Sequence, residues 1–251
     1  MPISFRRSVS AGSGLLVPAF LLCLLHLAAV QAIGQETTSS IPPGLQKQLN
    51  RIDFAISAAG TIGTTVSGIE QRDAHATTLV NGVTTPDPST LTIKPSNTAG
   101  ELFTLRYIAK PLVGFELNVS NLRFTQNYTF NPLPGGQQFL IGGAQTGVRE
   151  MTLGWVFHTR TVYGLQPYVG AGGGTVRFKP TPGGGQGLPE QYRAAYYYNL
   201  GLEDNFPNSH FGVRAGFRQL IYLAPDFQQN YLTITRRTRE SEPTFGFFLR
   251  F

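Results

Sequence analysis

The stretch Phe245-Gly246-Phe247-Phe248-Leu249-Arg250-Phe251 sets Phe245, Phe247, Leu249 and Phe251 on one parity against Gly246, Phe248 and Arg250 on the other. A repeat of two is that of an extended strand, whose successive side chains point to opposite faces. Four large apolar groups in phase make one face strongly hydrophobic. Whether that face looks into a core or out into lipid decides what kind of β protein this is.

Working back from the end, the same repeat recurs seven times. Residues 210–222 alternate Phe211, Val213, Ala215 and Phe217 with Gly212, Arg214, Gly216 and Arg218, and 193–204 alternate Tyr196, Tyr198, Leu200 and Leu202 with Tyr197, Asn199, Gly201 and Glu203. Residues 147–158 set Met151, Leu153, Trp155 and Phe157 against Glu150, Thr152 and Gly154. Residues 113–124 set Val113, Phe115, Leu117 and Val119 against Gly114, Glu116, Asn118 and Ser120. In 100–109, Phe103, Leu105 and Tyr107 oppose Thr104 and Arg106, and 52–66 carry Ile52, Phe54, Ile56, Ala58, Ile62 and Val66 on one face. Residues 166–178 contain Gly170-Ala171-Gly172-Gly173-Gly174, which hides the faces and points to a bulge or a close backbone approach. Alternation over these lengths is a strand signal. Eight strands result.

On these boundaries the connections hold 33, 3, 22, 7, 14, 5 and 21 residues, strictly long then short. The long ones carry breakers such as Pro86-Asp87-Pro88, Asn131-Pro132-Leu133-Pro134-Gly135-Gly136 and Pro180-Thr181-Pro182-Gly183-Gly184-Gly185. An up-and-down meander then has all its long loops at one end and its short turns at the other, the asymmetry of membrane barrels.

A soluble lipocalin-like barrel turns its apolar side inward and a membrane barrel turns it outward, and alternation fits both. Charge and aromatics favour lipid. Charged residues are 14% of the chain, only four lysines occur, and the polar faces carry few charges of both signs: Arg106, Glu116, Glu150, Glu203, Arg214 and Arg218. That pattern suits a packed, salt-bridged lumen. Phe54, Tyr107, Phe157 and Phe211 near strand ends suit an interfacial girdle. The expected fold class is therefore all-β, an eight-stranded antiparallel up-and-down transmembrane β-barrel over residues 51–251.

The N-terminus reads as an export address. Arg6 and Arg7 precede an apolar core from Leu15 to Val30, and Val30-Gln31-Ala32 offers small residues for cleavage after Ala32. The competing reading, a membrane anchor, is opposed by Pro18, His26 and a length short for a span. Residues 1–32 are thus expected to be a signal peptide and 33–50 a periplasmic linker, with at most one or two helical turns around Leu45-Gln46-Lys47. The single cysteine, Cys23, falls inside the signal, so no disulfide or thiol chemistry is expected afterwards. Losing Arg6 and Arg7 takes the formal charge from +6 to +4, spread along the chain, which points to no nucleic acid.

The ending Phe245-x-Phe247-x-Leu249-x-Phe251 resembles the C-terminal assembly signal of bacterial outer-membrane proteins. Leu165-Gln166-Pro167-Tyr168-Val169-Gly170-Ala171-Gly172 and Gly212-Val213-Arg214-Ala215-Gly216-Phe217-Arg218 are similar to strands of small barrels related to the OmpA transmembrane domain and OmpX. The resemblance spans about residues 51–251 and lacks the peptidoglycan-binding domain of longer relatives. It implies an outer-membrane location in a Gram-negative bacterium and insertion by the barrel-assembly machinery.

An eight-stranded lumen is filled by side chains. Buried charges need partners, so Glu150 is expected to pair with Arg218, and Glu116 with Arg214 or Arg106. His158 and His210 fall at periplasmic strand ends as solvated residues. His75, with Arg72 and Asp73, shares the first long loop with Ser67 and Ser89, without a recognisable active-site motif. In the last loop, Thr235-Arg236-Arg237-Thr238-Arg239 could meet lipopolysaccharide phosphates, though Glu240 and Glu242 follow at once. Tyr128, Phe130, Phe139 and Tyr231 read as loop aromatics open to a partner. The expected function is a structural or surface-interaction barrel, monomeric, without catalysis, cofactor or metal. Its expected contacts are outer-membrane lipid, lipopolysaccharide and an extracellular partner. A narrow low-conductance channel is the alternative, and a soluble ligand-binding barrel comes third.

Overall fold

A computed structural model describes residues 42–69, 77–80, 83–86, 89–132, 139–207, 209–229 and 232–251. The expected signal peptide, most of the linker, His75 and Tyr231 lie outside these residues. A short helix, α1 (Pro43–Leu49), precedes twelve strands: β1 (Ile52–Gly63), β2 (Val66–Ile69), β3 (Thr77–Val80), β4 (Val83–Pro86), β5 (Ser89–Pro95), β6 (Thr98–Lys110), β7 (Val113–Pro132), β8 (Phe139–His158), β9 (Leu165–Pro180), β10 (Gln191–Asn205), β11 (Phe211–Leu223) and β12 (Arg237–Arg250).

Eight of them close a barrel. The pairing runs β7-β6-β1-β12-β11-β10-β9-β8 and returns through β7–β8, every neighbour antiparallel. Closure between the third and fourth barrel strands leaves the membrane portion without an edge to satisfy, as a strand bundle in lipid requires. The last strand seals against the first: Phe54 stands opposite Leu249 and Ile56 opposite Phe247, and the Phe251 N–H donates to the Ile52 carbonyl at 3.2 Å. Turns of two residues (111–112), six (159–164) and five (206–210) join one end. In the six-residue turn Tyr163 and Gly164 adopt positive φ of 52° and 85°, the geometry that lets a tight turn follow strand twist. This short-turn end is the periplasmic one in barrels of this kind.

The outer half is longer than the sequence pattern suggests. β7 and β8 each run 20 residues and pair over nearly their whole length, so most of the expected 22-residue loop is strand. In the first long connection, β5 continues β6 after a break at Ser96-Asn97 and pairs with β7 from Ser89 opposite Pro132 to Pro95 opposite Gln126. β2 continues β1 in the same way and pairs with β5. Val66 therefore belongs to β2, and Ser67 and Ser89 sit in strands. β12 begins at Arg237, seven residues earlier than expected. The physical reason is shared: above the lipid both faces of a strand can be polar, so the contrast that marks alternation disappears.

Candidate functional site

The barrel interior is where the charged side chains meet. Its wall is built by parity: odd residues of β1 and β10 and even residues of β6, β7, β8, β9, β11 and β12 point inward. This also resolves the glycine-rich β9. Gly170, Gly172 and Gly174 line the lumen, and a Cβ on Gly172 would lie 2.7 Å from Cε1 of Tyr197, whose ring crosses the interior there.

The lower storey, near the periplasmic end, is a balanced network. Arg106 gives Nε to Glu116 at 2.9 Å and a second nitrogen to Glu203. Arg214 donates to Glu203 at 2.9 Å and to Asp53 at 3.1 Å. Arg250 reaches Asp53 and Glu203 at 3.4 and 3.3 Å. Glu116 also accepts from the Tyr197 hydroxyl at 2.9 Å and from Asn199 at 2.7 Å. The Tyr168 ring lies 4.4 Å from the Arg106 guanidinium and 5.7 Å from that of Arg214. Three carboxylates thus face three guanidiniums, all carboxylates fully buried. Buried ions persist only when paired and hydrogen-bonded.

The upper storey is unbalanced. Arg218 holds Glu150 through both terminal nitrogens and Glu242 at 2.6 Å, its guanidinium 4.6 Å from the Tyr197 ring. Ser120 and Thr152 also donate to Glu150, at 3.3 and 2.7 Å. Glu240, equally buried, accepts from the Tyr222 hydroxyl, and among the described residues no guanidinium lies within ion-pair distance of it. Two carboxylates share one arginine and the third is held by a tyrosine hydroxyl.

Above this storey the lumen turns apolar. Phe124, Phe178 and Tyr222 pack in sequence as tilted rings, with centroids 6.3 and 5.3 Å apart. Residues 224–229 and 232–236 of the connection fold over them, burying Phe227, Leu232 and Ile234. Gln191 ties it down: its amide nitrogen donates to Asp226 at 2.6 Å, and its oxygen accepts from the Asp226 and Phe227 backbone N–H groups at 3.0 Å. Arg193 adds an ion pair to Asp226 at 2.9 Å. Partial burial opposes ionisation of Asp226, but the Gln191 hydrogen bond, the Gln228 backbone N–H and Arg193 together hold its carboxyl below the usual aspartate range.

Several expectations change here. His158 is buried, with Nε2 3.6 Å from Glu203, because its even parity turns it into the lumen. His210 is exposed, its Nδ1 2.9 Å from the Arg250 carbonyl. Glu240 and Glu242 are lumen residues of β12, whereas Arg237 and Arg239 face outward, so the five-residue basic run is not one loop. Tyr128 is buried under the cap rather than offered to a partner, and Phe130 and Phe139 lie in strands. Asp53, Tyr168, Tyr197 and Asp226 escaped the sequence reading. Asp53 was legible from parity in the first strand, but nothing in the sequence marks Asp226.

Outside, the relation reverses. Met151, Leu153, Trp155 and Phe157 on β8 and Phe245 and Phe247 on β12 stand 48–60% exposed while the interior holds the ions. A water-soluble barrel cannot display such a continuous apolar band. The protein is a transmembrane β-barrel of the outer-membrane type. The soluble lipocalin-like reading is overturned by the charged interior.

No protein-family model and no curated protein matches the chain. Among solved structures it is similar to the outer membrane protein OprG of Pseudomonas aeruginosa, with 14% identity, coverage of 80% of this chain and 95% of that one, and a TM-score of 0.46. It is also similar to Neisserial surface protein A, with 11% identity, 79% and 97% coverage and a TM-score of 0.45. A third is Ail, the attachment invasion locus protein of Yersinia pestis, with 15% identity, 79% and 98% coverage and a TM-score of 0.36. These likenesses concern the barrel fold alone.

Proposed function

We propose that this barrel is a sealed, non-catalytic scaffold of the outer membrane that presents a raised surface outside the cell. The observation that carries the reading is the filled interior. Two storeys of buried ion pairs and an apolar cap follow one another along the axis, with Arg106, Tyr168, Tyr197 and Arg218 spanning the bore. A lipid bilayer is crossed by about 9–11 tilted strand residues. The 20 residues of β7 and β8 therefore rise well beyond it, and β2 and β5 widen that raised wall. A rigid wall of this kind is suited to contact rather than transport.

The placement of the histidines supports a non-catalytic role. His158 and His210 belong to the periplasmic end, whereas Ser67, bonded to Thr92 at 2.9 Å, and Ser89 belong to the outer end. The channel reading has one observation in its favour. A cavity of about 260 Å³ opens at the periplasmic mouth among Arg51, Lys110, His158, Gln166 and Arg250. A path upward from it would have to break the Arg106–Glu203 and Arg218–Glu150 contacts. Planar-bilayer recording of the refolded protein separates the two. The scaffold reading expects a closed baseline, and sustained wild-type conductance overturns it.

A further inference from the structure

Apart from the outward Arg237 and Arg239 of β12, the outer rim of the apolar band carries a cationic patch spread over three adjacent strands. On β8, outward Arg149 follows the lipid-facing series Phe157, Trp155, Leu153 and Met151. Eight residues separate Phe157 from Arg149, about 20 Å along the barrel axis at a rise of about 3.3 Å and a tilt of about 40°. That places the guanidinium at the outer edge of an apolar band about 25 Å tall. Arg149 stands opposite Arg177 of β9, and one outward step higher Gly147 stands between Arg123 of β7 and Lys179 of β9. Arg123 and Arg149 are held by neutral amides, Gln145 at 2.5 Å and Asn121 at 2.9 Å, which orient the guanidiniums without cancelling their charge. Glu190 takes Arg177, and Glu101 of β6 stands opposite Asn121 at the patch's edge.

Directly below Arg177 the outward face of β9 is built of small residues, Thr175, Gly173 and Ala171. Cross-strand pairing flanks this stripe with Leu153 and Trp155 of β8 on one side and Tyr196 and Tyr198 of β10 on the other. The result is a shallow apolar trough running down the barrel wall from beneath the cations. Phosphate is the natural partner of clustered guanidiniums, and an acyl chain is the natural occupant of an apolar trough at membrane depth.

We infer that the exterior of β7–β9 is a binding site for lipid A, the bis-phosphorylated glycolipid of the outer leaflet. Its phosphates contact Arg123, Arg149 and Lys179, and one acyl chain lies along β9. The inference rests on the membrane reading but not on the closure of the lumen.

The test is native mass spectrometry of detergent-refolded barrel titrated with lipid A, monophosphoryl lipid A and inorganic phosphate. Heat-dependent gel migration reports folding separately, so failure of the membrane reading appears there and not in the lipid count. Wild type is expected to retain one bis-phosphorylated lipid in preference to the monophosphoryl form. Arg123→Gln combined with Arg149→Gln and Lys179→Gln should lower retention by about tenfold or more, each lost guanidinium–phosphate contact being charge-assisted. Ala171→Phe, which fills the trough and alters no charge, should lower retention as well, while Lys110→Gln at the opposite rim should leave it unchanged. Equal retention by wild type and the triple variant, or no preference for the second phosphate, would overturn the inference. Displacement of the lipid by millimolar inorganic phosphate would overturn it too, in favour of a free-anion site.

Discussion

Arg218 of β11 crosses the lumen to Glu150 of β8, three strands away in the barrel order, and the same guanidinium also binds Glu242 of the neighbouring β12. One cation therefore organises two carboxylates from opposite walls. Its removal and the removal of either acid are not equivalent perturbations.

Breaking a buried pair costs about 3–5 kcal/mol, because the surviving charge is left uncompensated. Arg218→Ala strands two carboxylates, so its melting temperature should fall further than that of Glu150→Ala. In Glu150→Ala the guanidinium keeps Glu242. The double variant should recover part of the Arg218→Ala loss and not all of it, since Glu242 stays unpaired. Thermal melts of the four refolded proteins measure this. Strictly additive losses would show that Arg218 and Glu150 do not interact.

Glu240 is a buried carboxyl bound by the Tyr222 hydroxyl and lacking a guanidinium within reach among the described residues. Glu240→Gln keeps an acceptor for Tyr222 and takes an ionisable carboxyl out of a storey already rich in carboxylates. The substitution should raise stability by about 1 kcal/mol or more, read as a higher melting temperature. A fall of the same size would mean that the negative charge itself is used there.

Phe227 is fully buried at the centre of the cap. Phe227→Ala should cost about 3–5 kcal/mol locally. Because the barrel strands pair independently of the cap, the loss should appear as protease cleavage within 224–236 before the barrel itself melts. Protection equal to wild type would mean that the connection is held by its hydrogen bonds alone.

Asp226 links the cap to acidity. Its carboxyl is held below the ordinary aspartate range, so its contribution to cap closure is complete above about pH 4 and fades as acidity passes through and below that value. Hydrogen exchange of residues 224–229 should therefore accelerate below about pH 4 in wild type. Asp226→Asn should show raised exchange at neutral pH and a flatter acid limb. An identical acid limb in the variant would assign the acid opening to another group.

The sequence by itself determined the parity of seven of the eight barrel strands, the inward set Arg106, Glu116, Glu150, Glu203, Arg214 and Arg218, and the outward set that meets lipid. Those are local properties: in an extended chain the face of each side chain follows from its position counted by twos, and within the bilayer the two faces meet opposite environments. Height along the strands already suggested Glu150 with Arg218 and Glu116 with Arg106 or Arg214; tertiary structure decided between those two partners and added the rest of the network. The stagger of a closed barrel brings Arg106 to both Glu116 and Glu203 and sets Arg218 between Glu150 and Glu242, and no single strand encodes that stagger. It also decided where β12 begins. Beyond the membrane both faces of Arg237–Pro243 are polar, and Pro243 reads as a breaker, so the repeat that identifies Phe245–Phe251 carries no signal there. The faces of β9 were settled last, by Tyr197, the cross-strand partner of Gly172 25 positions away, whose ring passes over that glycine toward Glu116, an approach that glycine permits and the local pattern conceals.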